Sequence, residues 1–306
     1  MESKKIILVG APMDAGKTRQ GCRMGADALR AAGLECALAE IGHDVVDIGD
    51  IEPDAVNIQQ HDHLAFLPEC VGWTLSLIRV GQQAASQGMP VFLGGDHAIS
   101  MGSVAGIAAH AKVQNRPLFV LWLDAHSDFH TPQSTETGNL HGTPVAYFTG
   151  QPGFEDFPPL SAVVPIDQVG MIGLRSVDPQ ERKALERNNA ILTDMRTIDE
   201  SGIKAPLAAF LEKVREAGGM LHVSLDVDFL EPSIAPAVGT PVPGGVTARE
   251  AHLAMEILHD SGLVTSMDLV ELNPALDEQG RTTQLLVDLT ASLLGCRISD
   301  RPTLSA

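Results

Sequence analysis

Short apolar runs alternate with longer amphipathic stretches along this chain, and this alternation most constrains its fold. Apolar runs cover residues 6–9, 45–48, 91–93, 118–123, 169–174, 221–225 and 265–269. Helical stretches lie between them, at residues 26–32, 64–87, 99–111, 179–187, 206–217, 248–259 and 282–294. Uninterrupted apolar strands are typical of a parallel sheet that helices cover on both faces. The pattern therefore predicts one three-layer α/β domain over residues 1–306.

A glycine-containing segment, VGAPMDAGKT, follows the first predicted strand and ends in Gly16, Lys17 and Thr18. It is similar to a phosphate-binding loop. That loop needs a glycine where this chain has Ala11, and Pro12 removes one of the amides that would contact the phosphate. We therefore expect only a turn between the first strand and the first helix here.

The net charge of the chain argues against two classes of binding partner. Lys and Arg number 21 and Asp and Glu number 39, which leaves a net charge of −18. Such a surface repels nucleic acid and anionic membranes. The four cysteines form no CxxC pair, and no apolar run reaches the roughly 18 residues of a membrane helix. We expect a cytoplasmic protein that binds neither nucleic acid nor membranes.

Acidic residues and histidines stand where three predicted strands end. They are Asp96 and His97, then Asp124, His126 and Asp128, and finally Asp226 and Asp228. Residues two apart on an extended chain project to the same side, about 7 Å from each other. The carboxyl ends of parallel strands lie at one edge of the sheet, where ligands bind. We therefore expect these side chains to meet in one crevice.

A shared metal site explains this convergence better than separate helix caps or core histidines do. Burying the carboxylates of Asp124, Asp128, Asp226 and Asp228 together without a cation would cost several kcal/mol per ion. Together with two imidazoles they are too many ligands for one ion, so two divalent ions are expected, and the oxygen-rich set favours manganese. We expect Asp96 to orient a ligand instead of binding metal. Two divalent ions balance four carboxylates, and with a bridging hydroxide the cluster suits a cationic substrate.

Six segments in order resemble the ureohydrolase superfamily, and within it the arginases. They are GGDH at 94–97, DAHSD at 124–128, GNLHG at 138–142, SLDVDFLEP at 224–232, GTPVPGG at 239–245 and ELNP at 271–274. The resemblance implies an eight-stranded, mostly parallel sheet and a homotrimer or homohexamer. It also implies two manganese ions per subunit, which hydrolyse L-arginine to L-ornithine and urea by attack of metal-bound hydroxide.

The resemblance also implies the roles of single residues. One ion would be bound by His97, Asp124, Asp128 and Asp228, and the other by Asp124, His126, Asp226 and Asp228, with Asp124 and Asp228 bridging. Glu271 would hold the guanidinium beside Thr240. His141 would deliver a proton to the leaving amine, directly or by way of Asp128.

The other end of arginine would be bound by Asp178 at its α-amino group and by His130, Thr137 and Asn139 at its α-carboxylate. Animal arginases have Asn and Ser where this chain has His130 and Thr137, and both replacements still donate hydrogen bonds. Asp178 precedes Pro179, so it is equally expected to be a helix N-cap. His130 has the alternative of a plain surface-loop histidine.

Three other functions compete with arginine hydrolysis. An agmatinase, or a hydrolase of another guanidino or amidino compound, would keep the chemistry and change the substrate. A zinc deacylase would leave the second set of His and Asp ligands unused, and an inactive scaffold would be expected to lack a ligand. Arg249 and Glu250 resemble a charged pair near subunit contacts, although neighbouring surface charges are usually only solvated.

Overall fold

The computed structural model describes residues 3–17, 20–297 and 299, so Thr18 of the GKT segment lies outside them. Within these residues one sheet of eight strands forms the middle layer. The strands are β1 Lys5–Ala11, β2 Asp44–Asp50, β3 Met89–Gly94, β4 Leu118–Leu123, β5 Val169–Leu174, β6 Ile191–Asp194, β7 Met220–Asp226 and β8 Val264–Val270. Their spatial order is β2-β1-β3-β8-β7-β4-β5-β6, and neighbouring strands are parallel. The predicted α/β three-layer fold is confirmed.

Helices cover both faces of the sheet. They are α1 Gly25–Ala31, α2 Leu34–Glu40, α3 Leu67–Ala85, α4 Ile99–Val113, α5 Pro144–Phe148, α6 Pro179–Arg187, α7 Met195–Ser201, α8 Lys204–Glu216, α9 Ala248–Ser261 and α10 Arg281–Leu293. All the predicted strands and helices are present. The prediction missed β6, where Thr193 is the buried residue of a short edge strand, and the short helices α2, α5 and α7.

Uninterrupted apolar strands supply both faces of the core. In β1, Ile6 and Leu8 belong to one buried cluster, whereas Ile7 and Val9 belong to the cluster on the opposite face. Alternate side chains of a strand point to opposite faces, so a strand covered on both sides must be apolar throughout. Within the described residues, no helix has the length and apolar character needed to cross a membrane.

The register of the central strands brings their carboxyl ends to one level. Leu93 of β3 and Leu225 of β7 both pair with Leu269 of β8, and Leu123 of β4 pairs with Leu225. The residues that follow these positions therefore leave the sheet side by side. These are the segments in which the sequence places the acidic residues and histidines.

The glycine pair at the end of β3 serves close packing and not a left-handed turn, because neither Gly94 nor Gly95 has a positive φ. A Cβ at Gly95 would lie 2.3 Å from the carbonyl oxygen of Met13. The amide of Asp96 donates to the same Met13 oxygen at 2.9 Å. Glycine thus lets the segment after β1 approach the end of β3, and it carries Lys17 into the site.

Candidate metal centre and substrate pocket

A first group of carboxylates surrounds the imidazole of His97. Its Nδ1 lies 3.0 Å from Asp124 Oδ2, 3.2 Å from Asp128 Oδ2 and 3.0 Å from Asp226 Oδ2. All four side chains are at most 10% exposed. Three strand ends, those of β3, β4 and β7, therefore bring one nitrogen and three oxygens to a common point.

A second group adjoins the first through Asp124. His126 Nδ1 lies 2.9 Å from Asp228 Oδ2 and 3.5 Å from Asp124 Oδ1. The two oxygens of Asp124 thus face different histidines. Asp124, His126 and Asp228 could hold a second metal ion, next to the ion that His97, Asp124 and Asp226 could hold.

The arrangement of two of these carboxylates differs from the predicted one. We expected Asp228 to lie beside both histidines and Asp226 to lie beside His126, whereas in the structure Asp226 lies beside His97 and Asp228 lies beside His126. The reason is local: the chain turns into a 3₁₀ helix at Val227–Phe229, and Asp226 Oδ1 accepts the amide of Asp228 at 2.7 Å. The two carboxylates consequently point to different histidines.

Hydrogen bonds fix the orientation of the candidate ligands. Asp228 Oδ1 accepts the amide of Ala125 at 3.0 Å, which connects the ends of β7 and β4. The ring of His97 stacks on Trp122, with centroids 4.0 Å apart, and its Nε2 is 2.8 Å from Ser224 Oγ. These contacts leave Nδ1 of His97 directed at the carboxylates, as an imidazole ligand requires.

The donor set fits divalent cations. Three buried atoms of these groups, His97 Nδ1, Asp124 Oδ2 and Asp228 Oδ2, have no hydrogen-bond partner among the described residues. Burial and the neighbouring carboxylates Asp228 and Asp124 raise the pKa of Asp226 well above its usual value, and burial and Asp124 raise the pKa of Asp228 to about 6. Crowded carboxylates of this kind are stabilised by positive charge.

Glu271 lies beside this cluster at the end of β8. Its Oε1 accepts the amide of His97 at 2.9 Å and lies 3.3 Å from His141 Nδ1. Burial alone would lower the pKa of His141, but the Glu271 carboxylate raises it above its usual value. The backbone of Glu271 has a φ of +66° and that of Asp128 has +45°. Such strain at non-glycine residues is often found at functional sites.

Lys17 is a site residue that our sequence interpretation missed. Its Nζ forms a salt bridge with Glu271 Oε2, and the two side chains are 2% and 1% exposed. Burial alone would lower the pKa of Lys17 and raise that of Glu271. The opposite charge of the partner outweighs burial in both cases, so the pKa of Lys17 lies well above its ordinary value and that of Glu271 lies well below its own. Both groups are therefore charged. The available signal was the place of Lys17 after β1, at the same edge as the acids.

Asp96 holds the segment that carries Lys17. One of its carboxylate oxygens accepts the amide of Gly16 at 2.7 Å, and the other accepts that of Ala98 at 3.0 Å. Burial and the charge of Glu271 raise the pKa of Asp96 to about 6. Asp96 lies outside both groups of candidate ligands, in agreement with the expectation that it supports the site instead of binding metal.

A cavity of about 300 Å³ opens over the two groups. Most of the residues predicted to contact substrate line it: His130, Thr137, Asn139, His141, Asp178 and Thr240. Glu271 lies beneath, in contact with His141. The cavity thus brings the predicted substrate contacts together beside His141, which in turn contacts the buried carboxylate.

At the outer end of the cavity, His130 contacts Asp178, with Nε2 and Oδ2 2.6 Å apart. Asp178 Oδ1 accepts the amides of Gln180 and Glu181 at 2.9 and 3.0 Å, so the N-cap interpretation of Asp178 is confirmed. Its other oxygen, Oδ2, is the one that His130 contacts. One carboxylate can therefore cap α6 and contact a ligand.

Glu181 is a second lining residue that the sequence interpretation missed. Its Oε1 accepts Ser127 Oγ at 2.8 Å and the amide of Phe129 at 2.9 Å, and its Oε2 is 3.5 Å from His130 Nε2. The position three residues after the N-cap Asp178 could have indicated it, because acidic residues favour the first turn of a helix. Glu181 fixes the start of the loop that carries His130.

Comparison with known proteins identifies the chain's relatives. A sequence model described as "Arginase family" matches residues 4–296. The chain is 56% identical to "Arginase" of Brucella melitensis biotype 1, over 97% of this chain and 98% of that protein. It is 54% identical to "Arginase" of Agrobacterium fabrum, over 99% and 94%.

The structure also matches solved folds. The arginase from Bacillus caldovelox superimposes with a TM-score of 0.89 and 36% identity, over 96% of this chain and 99% of that one. A proclavaminate amidino hydrolase from Streptomyces clavuligerus, at 23% identity, has a TM-score of 0.67 over 95% of this chain and 91% of that one, and shares the fold. The similarity to the arginases therefore extends over nearly all of both chains.

Proposed function

The chain belongs to the arginase family, and from that premise we propose that it cleaves L-arginine to L-ornithine and urea with two manganese ions. It is a hydrolase of the arginase type, as its relatives at 54–56% identity are named. The observation that carries the proposal is the pair of His and Asp groups that share Asp124 beside the buried carboxylate of Glu271.

The ions would be held by the six predicted ligands, His97, Asp124, His126, Asp128, Asp226 and Asp228, divided as the distances indicate. Asp124 faces both histidines and would bridge. When bound, the ions supply a water molecule whose pKa is near neutral, and with it the nucleophile. The oxygen-rich set favours manganese over zinc.

Glu271 would position the reacting group. A carboxylate can accept two parallel hydrogen bonds from a guanidinium, which fixes its plane as well as its place. Such positioning contributes a large part of the acceleration in enzymes that bring two reactants together. Thr240 lines the same cavity and would contact the group from the opposite loop.

His141 would provide the proton that the leaving amine needs. The Glu271 carboxylate favours the protonated ring, and Nδ1 is 3.3 Å from Glu271 Oε1. A neutral amine is a far better leaving group than an amide anion. A positioned acid that protonates the departing nitrogen therefore accelerates the collapse of the tetrahedral intermediate. Asp128, at the border between His97 and the cavity, would relay this proton.

The outer end of the cavity would bind the amino-acid part of arginine. Asp178 would bind the α-ammonium, and His130, Thr137 and Asn139 the α-carboxylate. These residues line the same cavity as His141, which contacts Glu271. Agmatine lacks the carboxylate, so a site with these contacts would favour arginine over the agmatinase alternative, which the relatives' names do not favour either.

The decisive experiment combines metal analysis with a urea assay on arginine, agmatine and other guanidino compounds. We expect two manganese ions per chain, urea from arginine, strong rejection of agmatine, and loss of activity on chelation that manganese reverses. Equal rates with agmatine and arginine would refute the substrate, and full activity after exhaustive chelation would refute the metal-dependent reaction.

We also propose a cytoplasmic homotrimer or homohexamer of one-domain subunits. The absence of CxxC pairs in the sequence supports a reducing compartment. Glu250, which resembles a residue near subunit contacts, has a local role: its Oε2 accepts the amide of Thr247, completing a capping box at the start of α9. Light scattering of the eluted protein would give the subunit number directly.

A further inference from the structure

A cation that belongs to the chain is paired with the carboxylate that would bind the substrate's guanidinium. Lys17 Nζ contacts Glu271 Oε2, and both side chains are almost completely buried. We propose that Lys17 is a built-in competitor for Glu271: its ammonium occupies this carboxylate in the free enzyme, and substrate and product bind by replacing it. This inference rests on the proposed function of Glu271.

The backbone around Lys17 is anchored, so the ammonium is aimed at Glu271 by the fold. The amide of Gly16 donates to Asp96, and the carbonyl of Gly16 accepts the amide of His141 at 2.9 Å. The Nζ of Lys17 also donates to Cys22 Sγ at 3.0 Å. Since Asp96 and His141 both hold Gly16, the residue before Lys17, exchange can take place by movement of the flexible lysine side chain.

The position of the ammonium coincides with the expected guanidinium position. It lies against Glu271 on one side and near the 239–245 segment on the other, because a Cβ at Gly239 would be 3.3 Å from Lys17 Nζ. Thr240, the predicted neighbour of the guanidinium, is the next residue. A substrate cation and the Lys17 ammonium therefore compete for the same space and the same oxygen.

Arginine and ornithine must both displace Lys17 from Glu271. A guanidinium forms two parallel bonds to a carboxylate, whereas an ammonium is a compact, strongly hydrated point charge. Arginine carries the first group and ornithine carries the second. Because either ligand binds only after Lys17 has left Glu271, the lysine weakens the binding of both by the same factor, and its return to Glu271 promotes product release.

The test is ornithine binding, measured by calorimetry and by inhibition of arginine hydrolysis, in the natural chain and three variants. We expect Lys17→Met to bind ornithine at least about tenfold more tightly than the natural chain, with a similar decrease in the KM for arginine. Lys17→Arg, which offers a guanidinium on a stem one methylene shorter, should bind ornithine more weakly. Lys213→Met, which removes an exposed ammonium, should change neither value. Equal or weaker ornithine binding by Lys17→Met would overturn the proposal.

A second measurement requires no turnover. Lys17→Ala leaves Glu271 buried without its cation, so we expect the manganese-loaded variant to melt at a lower temperature than the natural chain. Millimolar propylammonium chloride should restore the melting temperature of this variant and leave the natural chain and Lys213→Ala unchanged. The same shift in all three chains, or in none, would contradict a replaceable cation at Glu271.

The two proposals fail in different ways. Tighter ornithine binding by Lys17→Met, together with no urea release from arginine by the natural chain, would refute the proposed reaction and leave the competition at Glu271 intact. Urea release from arginine with identical ornithine affinities in all the variants would refute the competition alone.

Discussion

His130 Nε2 lies 2.6 Å from Asp178 Oδ2. These two side chains were predicted to bind the α-ammonium and the α-carboxylate of an amino-acid substrate, and they contact each other at the outer end of the cavity. An α-ammonium must therefore take over a carboxylate that His130 already contacts. The pair can distinguish arginine from compounds that cannot make both contacts.

Asp178→Asn tests the charge of this pair without removing the helix cap, since Asn caps helices as well as Asp does. We expect the KM for arginine to rise about tenfold, because an ammonium loses a charged partner, while the melting temperature stays the same. Steady-state kinetics and thermal melting measure the two effects. Asp194→Asn, which changes the cap of α7 away from the cavity, is the matched control.

The division of the metal ligands predicts different losses for two substitutions. Asp128→Asn should weaken the ion held with His97, and Asp228→Asn the ion held with His126, because each removes a charge from one group. We expect about one manganese per chain in each after dialysis, and urea release lowered at least about a hundredfold. Elemental analysis gives the content, and electron paramagnetic resonance shows whether paired ions remain.

Asp260→Asn, on the surface, should keep both ions. If Asp128→Asn retained two ions and full activity, Asp128 would not be a ligand. Loss of both ions from either variant would show instead that neither group binds metal alone.

His141→Asn tests proton delivery. Turnover should decrease by about a hundredfold, within the usual range for a general acid, because the leaving amine no longer receives a positioned proton. The manganese content and the KM for arginine should remain close to their natural values. The control is His259→Asn, near the end of α9, where the histidine ring contacts the carbonyl of Leu293. This substitution should leave turnover unchanged. A decrease in metal content would assign His141 to metal binding instead.

The pair of Arg30 and Asp47 predicts a pH dependence of stability. Arg30 Nε and Nη2 donate to the two carboxylate oxygens at 2.7 and 3.1 Å. Burial alone would raise the pKa of Asp47, but the bonds from Arg30 hold it below its usual value. Because the folded pKa lies below the unfolded value of about 3.9, this stabilisation is complete above pH 4 and is lost as the pH falls through the folded pKa.

Asp47→Asn should therefore lower the free energy of unfolding by at most about 1 kcal/mol at pH 6, and by less at pH 3. Urea denaturation of metal-free protein at both pH values measures the difference. Asp167→Asn, in an exposed pair 3.9 Å from Lys213, should have no measurable effect at either pH. A loss of unfolding free energy that is larger at pH 3 than at pH 6 would show that Arg30 does not stabilise the ionised carboxylate of Asp47.

The fold and the collection of ligands were predictable because they depend on local patterns. Apolar runs typical of buried strands are followed by His97, Asp124 and Asp226. The carboxyl ends of parallel strands lie at one edge of the sheet, so these residues were expected to meet. The edge strand β6 was not predictable, since only Thr193 in it is buried and it lacks an apolar run.

The site features that depend on contacts between distant segments could not be predicted from the sequence. The roles of Asp226 and Asp228 were taken from the family resemblance, and the 3₁₀ turn at Val227–Phe229 that directs the two carboxylates to different histidines was not predicted. Lys17 meets Glu271 across 254 positions, and no local pattern connects the two residues. Its segment was considered only as a phosphate-binding loop, which was rejected in favour of a plain turn, so the contact of Lys17 with a carboxylate was not predicted.

The strand order has a consequence for how the chain reaches its native state. Strands β8 and β7 are inserted between β3 and β4, although they are made last during synthesis. Until they arrive, β3 and β4 each expose an unpaired backbone edge, which is prone to aggregation. The ligand groups are equally incomplete until that insertion. Uptake of metal by a nascent chain would thus report that the middle of the sheet has closed.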